Sequence, residues 1–441
     1  MNILYNELIT IFNNAEKKAK LFDIEICGIK LWQYIRIEVY RCLEREVLNC
    51  IYIPIWARTR SRFIKNKKYA QQEYLNKLQK ADILVFDYLH RYINLNGKKI
   101  CPVTGNIEES IFNCSRISLD YSGATIDAIP LISPQKINKI FLNDNINQII
   151  KSLNSECDVL TSTQFFIDIE NAICYILYFM RFIDFFAEII NRIKPKCLVF
   201  SNGYAIPSTV MAITANTLNI PVIEMQHGIF GAWHIAYNFP AKVIPEYCAK
   251  YFFSYGEYYR SFLVNLFGDN IFTVGSFMLD NTLLKFQNKK RKISSKILII
   301  STINNEDLIK IAIDLVAKAR IKGLSVVYRL HPEENDNINS LLVNSGIEIR
   351  YPLLESVYES LGDCVCVLGQ NSTVLYEAAA LGILALQLNG IHADKHPFPI
   401  INNPEDIFFL INSKMHRKDT HEFFVENAMN NFENAIKNIL A

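Results

Sequence analysis

KCLVFS (196–201), NGYAIPSTVMAITANTLN (202–219) and PVIEM (221–225) follow one another and decide the fold. The first and last stretches are short apolar runs of strand length, and the middle one has helical length and spacing. Strand, helix, strand with so little between them is a βαβ unit, which requires a parallel sheet. The alternation extends outward on both sides, with strands expected over 81–87, 249–254 and 270–274. A charged stretch, KFQNKKRKISSK (285–296), then reads as an interdomain linker. Beyond it the pattern restarts, with strands expected over 297–301, 325–330, 363–368 and 384–388 and helices over 307–321 and 373–381. The last segment, 422–440, has helical spacing and no strand partner; it is expected to pack as a helix crossing back to the first lobe.

The expected division is a helical region over 1–75, an α/β lobe over 76–284, the linker, a second α/β lobe over 297–420 and a terminal helix over 421–441. A chain of 441 residues has the length for two such domains. Ligands of doubly wound sheets bind beyond the carboxyl ends of the strands, so functional motifs are expected there.

Composition excludes several classes of protein. Half of the residues are hydrophobic and one fifth charged, which is too apolar for a disordered chain. Lys plus Arg total 46 against 44 for Asp plus Glu, so the basic excess of a nucleic-acid binder is missing. Eleven cysteines are scattered without a CxxC pair, as in reduced cytoplasmic proteins, and no export signal opens the chain. The most apolar long stretch, 172–193, is broken by Arg181, Asp184 and Glu188, so a membrane-spanning helix is not expected. The 47–68 segment joins an apolar run to Arg58, Arg60, Arg62, Lys65, Lys67 and Lys68. It suits either peripheral contact with an anionic membrane or a solvated basic helix. The expected location is cytoplasmic, with the inner membrane face as an option.

Three motifs fall at strand ends. In Gln226-His227-Gly228 the imidazole is placed to accept a proton from a hydroxyl, and Gly228 is expected to let the chain turn sharply. The loop after it carries Trp233 and His234, with apolar faces of the kind that sugar rings use, and Glu257 follows the next strand. In Arg329-Leu330-His331-Pro332 the two cationic residues alternate onto one face, where a phosphate would be held. In Asn371-Ser372-Thr373 small polar residues are expected to cap a helix, with Glu377 one turn inside it and suited to a ribose diol. Each motif also has a plain structural reading as a turn or an N-cap. P-loop, GxGxxG, HExxH and GxSxG patterns are absent, as is an Asp-x-Asp pair, so neither a metal nor a cofactor is expected.

Taken together over 196–389, the motifs resemble those of bacterial surface-polysaccharide glycosyltransferases of the GT-B type, of the capsule or O-antigen kind. His331-Pro332 and Ser372-Thr373 are similar to the His-Pro and Ser/Thr motifs of bacterial sialyltransferases and Kdo transferases. Gln226-His227-Gly228 looks like the motif of capsule-type transferases and teichoic-acid glycerophosphotransferases, in which the histidine acts as base. The resemblance implies an α/β fold of two Rossmann-like lobes around a central cleft. It also implies a CMP- or UDP-activated sugar as donor, a glycan or lipid-linked acceptor, His227 as base, and inversion without a metal. A CDP-polyol phosphotransferase and a non-catalytic glycan- or nucleotide-binding scaffold are the alternatives.

Overall fold

The computed structural model describes residues 5–18, 20–23, 25–26, 29–48, 75–88, 92–95, 98–119, 128–129, 176, 180, 182–240, 242–280, 282, 295–302, 306–331, 334, 339–352, 354–390, 395–413 and 422–441. Pro332, the basic part of the 47–68 segment and most of the linker lie outside them.

Two sheets, both parallel throughout, organise the chain. The first has seven strands in the order Ile271–Thr273, Tyr251–Ser254, Val222–Met225, Cys197–Phe200, Ile83–Tyr88, Cys114–Leu119 and Ala128–Ile129. The second has six, in the order Glu348–Arg350, Ser325–Arg329, Lys296–Ile300, Cys364–Gly369, Leu384–Leu388 and Ile400–Ile401. In each sheet the chain winds outward from the first strand, returns to that strand's other side, and winds outward again. This is the doubly wound order of Rossmann-like lobes, and two of them in one chain make the GT-B arrangement. The order reverses between Ile83–Tyr88 and Cys197–Phe200 in one lobe and between Lys296–Ile300 and Cys364–Gly369 in the other.

The central strands are continuous apolar runs because helices cover both faces of each sheet. Ile83–Tyr88 and Cys197–Phe200 are buried at every position. On one face, Ile206–Thr217 packs beside Ile183–Ile193, whose Phe186, Ile189, Ile190 and Ile193 are buried. The other face is covered by the terminal helix Ala428–Leu440, which buries Ala428, Phe432, Ala435 and Ile436, one stripe of the helix. The Phe432 ring lies 5.8 Å from that of Phe253 and 5.7 Å from that of Phe277. Asp280 receives the amides of Asn427 and Ala428, capping this helix from the first lobe. The tail therefore does cross back.

Element boundaries shift from the expected ones by a few residues. The strand Lys296–Ile300 begins on the last residue assigned to the linker, where Lys296 pairs with Glu348 and Asp363. The terminal helix starts at Ala428, six residues later than expected, after Phe423 and Phe424 have packed into the second lobe. Strands Cys114–Leu119 and Glu348–Arg350 were not anticipated because polar residues interrupt their short apolar patterns, nor was Ile400–Ile401, which is only two residues long and follows Pro399.

Ahead of the first lobe, helices Tyr5–Lys18 and Trp32–Leu48 share its core. Arg36 is fully buried between them, bonded to both carboxylate oxygens of Glu16 at 2.5 and 2.9 Å. Its guanidinium also donates to the carbonyls of Ile235 (2.6 Å) and Asn238 (2.8 Å) and lies 4.3 Å from the Phe239 ring. One buried cation thus ties the N-terminal helices to the loop that carries Trp233 and His234.

Candidate functional site

The chain leaves the buried strand Val222–Met225 through Gln226, whose side chain is used on the backbone. It donates to the Gly228 carbonyl at 2.9 Å and accepts the Tyr255 amide at 2.8 Å. Gln226 therefore fixes the His227 turn to the neighbouring strand end and does not reach outward. Gly228 does not adopt a left-handed conformation, and a side chain there would enter open space. The turn itself does not require glycine, which corrects the expected reason for it.

His227 is half-buried, with Nε2 2.9 Å from the hydroxyl of Tyr204. Tyr204 comes from the loop after Cys197–Phe200, beside the point where the strand order reverses. Its ring stands 5.5 Å from both His227 and His234 and 6.0 Å from Tyr237. Tyr237 donates at 2.8 Å to Glu224, which also accepts the Gly203 amide at 2.8 Å. A Cβ at Gly203 would lie 2.4 Å from Glu224 Oε2, so only glycine permits this approach. Burial pushes the Glu224 carboxyl up to about 7, against the two hydrogen bonds that lower it. His234 is driven the other way, down to about 3, by burial first and then by Arg41 and Lys395. It is neutral at neutral pH.

Trp233 faces the other lobe. Its indole N–H donates to the Lys395 carbonyl at 2.9 Å, and the Lys395 ammonium sits 4.6 Å from its ring centroid. Glu257 is exposed near the sheet edge, where it accepts a bond from the Thr273 hydroxyl.

At the second lobe's edge, Arg329 is buried and turned to its own lobe. It donates to Ser360 Oγ and to the Glu355 carbonyl, both at 2.9 Å. The expected phosphate-facing direction does not hold for it, since a charge buried at a strand end needs partners nearby. The His331 amide donates to Glu334 at 2.7 Å, and Glu334 accepts Ser301 Oγ at 2.7 Å. This holds the His331 loop over the end of Lys296–Ile300. Asn371 follows the strand on the opposite side of Lys296–Ile300, so the two motifs stand two strand spacings apart, about 10 Å.

Ser372 Oγ accepts the Val374 amide at 3.2 Å, whereas Thr373 has helical backbone angles and makes no cap bond. Asn371 Oδ1 can only accept, so His396 donates to it from Nε2 at 3.2 Å and accepts the Tyr376 hydroxyl at Nδ1, also at 3.2 Å. Burial and then Lys395 lower His396 to about 4. Glu377 is half-buried in the helix Val374–Ala380; among the described residues its Oε2 has no hydrogen-bond partner, and burial alone raises the carboxyl to about 7.

The two edges face each other. Tyr258 lies 6.2 Å and Tyr259 6.4 Å from the Tyr376 ring, and the Val425 amide donates to the Tyr255 carbonyl at 2.9 Å. The seam collects His227, Trp233, His234, Asn371 and Glu377, and leaves Arg329 and Gln226 in supporting positions. Sequence reasoning missed Tyr204, Lys395 and His396 and gave Glu224 no role. The signal for Tyr204 was its place just beyond a strand end, and for His396 a second His-Pro pair after Leu384–Leu388. Among the described residues, no group of three or more His, Cys, Asp and Glu suits a metal ion, and no helix is long and apolar enough to cross a membrane.

No family model and no curated protein matches the chain. Among solved structures it is similar to the UDP-N-acetylglucosamine 2-epimerase from Rickettsia bellii, with 15% identity and a TM-score of 0.46 over 82% of this chain and 96% of that one. It is also similar to the wall teichoic acid polymerase TagF with CDPG, with 11% identity and a TM-score of 0.41 over 93% and 98%. For CalG4, the calicheamicin glycosyltransferase, the values are 9% and 0.45 over 82% and 96%. The two-lobed architecture rests on the strand order itself.

Proposed function

We propose that the protein is a glycosyltransferase that moves a sugar from a CMP- or UDP-activated donor to a growing bacterial surface glycan of the capsule or O-antigen type. The observation that carries this reading is the Tyr204–His227 pair at the first lobe's reversal point, facing the second lobe's edge, where Glu377 Oε2 has no hydrogen-bond partner among the described residues. The Tyr204 hydroxyl orients the imidazole, and His227 takes the proton of the acceptor hydroxyl. The freed oxygen attacks the anomeric carbon, the bond from that carbon to the phosphate oxygen breaks, and the nucleotide leaves with the electron pair. A single displacement inverts the anomeric centre and requires no metal. His331 and Thr373 meet the charge that builds on the leaving phosphate. Ribose hydroxyls donate to Glu377, whose carboxyl burial pushes up to about 7. The acceptor is a glycan or lipid-linked chain, worked on at the cytoplasmic membrane face with the 47–68 segment as contact.

A thermal-shift comparison of CMP, UDP, GDP and CDP tests the reading. A ligand at 100 times its dissociation constant adds roughly 2.7 kcal/mol of stability. One nucleotide is expected to raise the midpoint, and a flat response to all four would contradict a nucleotide-sugar donor.

A further inference from the structure

Asn371 follows the strand Cys364–Gly369, beside the point where the second lobe's strand order reverses, and it is only partly buried. One end of its carboxamide is engaged. Oδ1 accepts from His396 Nε2 at 3.2 Å, and no other hydrogen bond reaches the side chain among the described residues. The two N–H groups of Nδ2 are therefore left for a ligand or for water. His396 is itself held, with the Tyr376 hydroxyl 3.2 Å from Nδ1. A neutral imidazole that accepts at Nδ1 carries its hydrogen on Nε2, so this bond fixes the tautomer that Asn371 Oδ1 needs. An amide turned the other way would set its N–H groups against the Nε2 hydrogen.

The hold extends into the first lobe. The Trp233 ring stands edge-on to His396, 6.1 Å between centroids, and its indole N–H donates at 2.9 Å to the carbonyl of Lys395, the preceding residue. Tyr376 is only 1% exposed, packed by Phe398 at 4.8 Å and, from the first lobe, by Tyr259 at 6.4 Å.

We infer that His396 and Trp233 are positioning residues that hold Asn371 as a hydrogen-bond donor to an oxygen of the bound nucleotide, with Trp233 acting from the opposite lobe. The nucleotide as ligand rests on the glycosyl-transfer reading; the chain of bonds does not. A carboxamide fixed in advance loses no rotamer freedom when the ligand arrives, and it cannot turn its own oxygen to an acceptor. The ligand oxygen is phosphoryl or a pyrimidine carbonyl, both of which an amide N–H recognises.

Calorimetric titration with UDP, CDP, uridine, cytidine and inorganic pyrophosphate tests the chain in wild type, Asn371→Ala, His396→Phe and Trp233→Phe. The two double variants that combine Asn371→Ala with each ring change complete the set. His396→Phe and Trp233→Phe keep a ring in place and remove the bonds. Asn371→Ala is expected to weaken nucleotide binding about 3–10-fold, the range for one hydrogen bond, and each ring variant by no more than that. In the Asn371→Ala background the ring changes are expected to cost nothing further, because residues that act through one contact are not additive. Wild-type affinity in Asn371→Ala would overturn the donor contact, and additive losses in the doubles would overturn the positioning. Should His396→Phe fail to fold, the Trp233→Phe cycle decides alone. Pyrophosphate losing affinity in Asn371→Ala assigns the oxygen to phosphate, and the nucleosides losing it assigns the oxygen to the base. Non-additive losses in a protein that transfers no sugar would keep the chain and remove the glycosyl-transfer reading. Sugar transfer with wild-type nucleotide affinity in Asn371→Ala would do the reverse, and wild-type protein that binds no nucleotide would overturn both.

Discussion

The Tyr204 hydroxyl lies 2.9 Å from Nε2 of His227, and the two residues come from the ends of neighbouring strands of one parallel sheet. The sheet register therefore sets their separation, and the histidine is oriented before any substrate arrives. Tyr204→Phe keeps the ring between His227, His234 and Tyr237 and removes only the bond. A neutral hydrogen bond contributes about 0.5–1.5 kcal/mol, so turnover is expected to fall roughly 3–10-fold with nucleotide affinity unchanged. Steady-state kinetics with parallel nucleotide titration checks this, and wild-type turnover in the variant would remove Tyr204 from the account.

Glu224 gives stability a specific pH dependence. Its native carboxyl is held near 7 and its ordinary value is 4.5, so the folded state binds more protons than the unfolded one between these limits. Its contribution is complete below pH 4.5 and is lost as pH rises towards 7. Glu224→Gln keeps an oxygen for Gly203 and Tyr237 and has no proton to lose. Urea titrations at pH 5 and pH 8 are expected to show the variant gaining on wild type at the higher pH. Parallel profiles would contradict the assignment.

His396 acts with the opposite sign. Its native value of about 4 lies below the ordinary 6.5, so its contribution is present above pH 6.5 and is lost as pH falls towards 4. His396→Asn removes the titration, although it also gives up the bonds to Asn371 and Tyr376. The variant is expected to start from a lower midpoint at pH 7.5 and to lose less than wild type on moving to pH 5. An equal loss in both would place the acid sensitivity elsewhere.

The buried Arg36–Glu16 pair anchors the aromatic loop. Arg36→Met leaves the Glu16 carboxylate buried without its partner, and a broken pair of this kind costs about 3–5 kcal/mol. Adding Glu16→Gln is expected to recover much of that loss in denaturant unfolding. A single variant as stable as wild type would mean that the loop is held by other contacts.

The lobes were legible in the sequence because βαβ units repeat on both sides of a charged stretch, and buried parallel strands such as Ile297–Ile300 are unbroken apolar runs. Strands broken by polar residues, such as Cys114–Leu119 with Ser115, Arg116 and Ser118, gave no such signal. In the site, His227 was readable from its place at a strand end. Side-chain direction was not: Arg329 and His331 alternate in sequence, but burial turns Arg329 to Ser360 and Glu355. Arg41 and Lys395 are 354 positions apart, and only the docking of the N-terminal helix and the second lobe around Tyr204 and Trp233 makes them neighbours of one histidine.

The central claim is that His227 removes the acceptor's proton. Its most direct test is His227→Ala, assayed for sugar transfer with the donor that the nucleotide screen selects and titrated with the same nucleotide. Turnover is predicted to fall about 10²–10⁴-fold, the span of general base catalysis, while nucleotide affinity stays at the wild-type value. Turnover that survives while nucleotide affinity falls would make His227 a donor ligand and contradict the account.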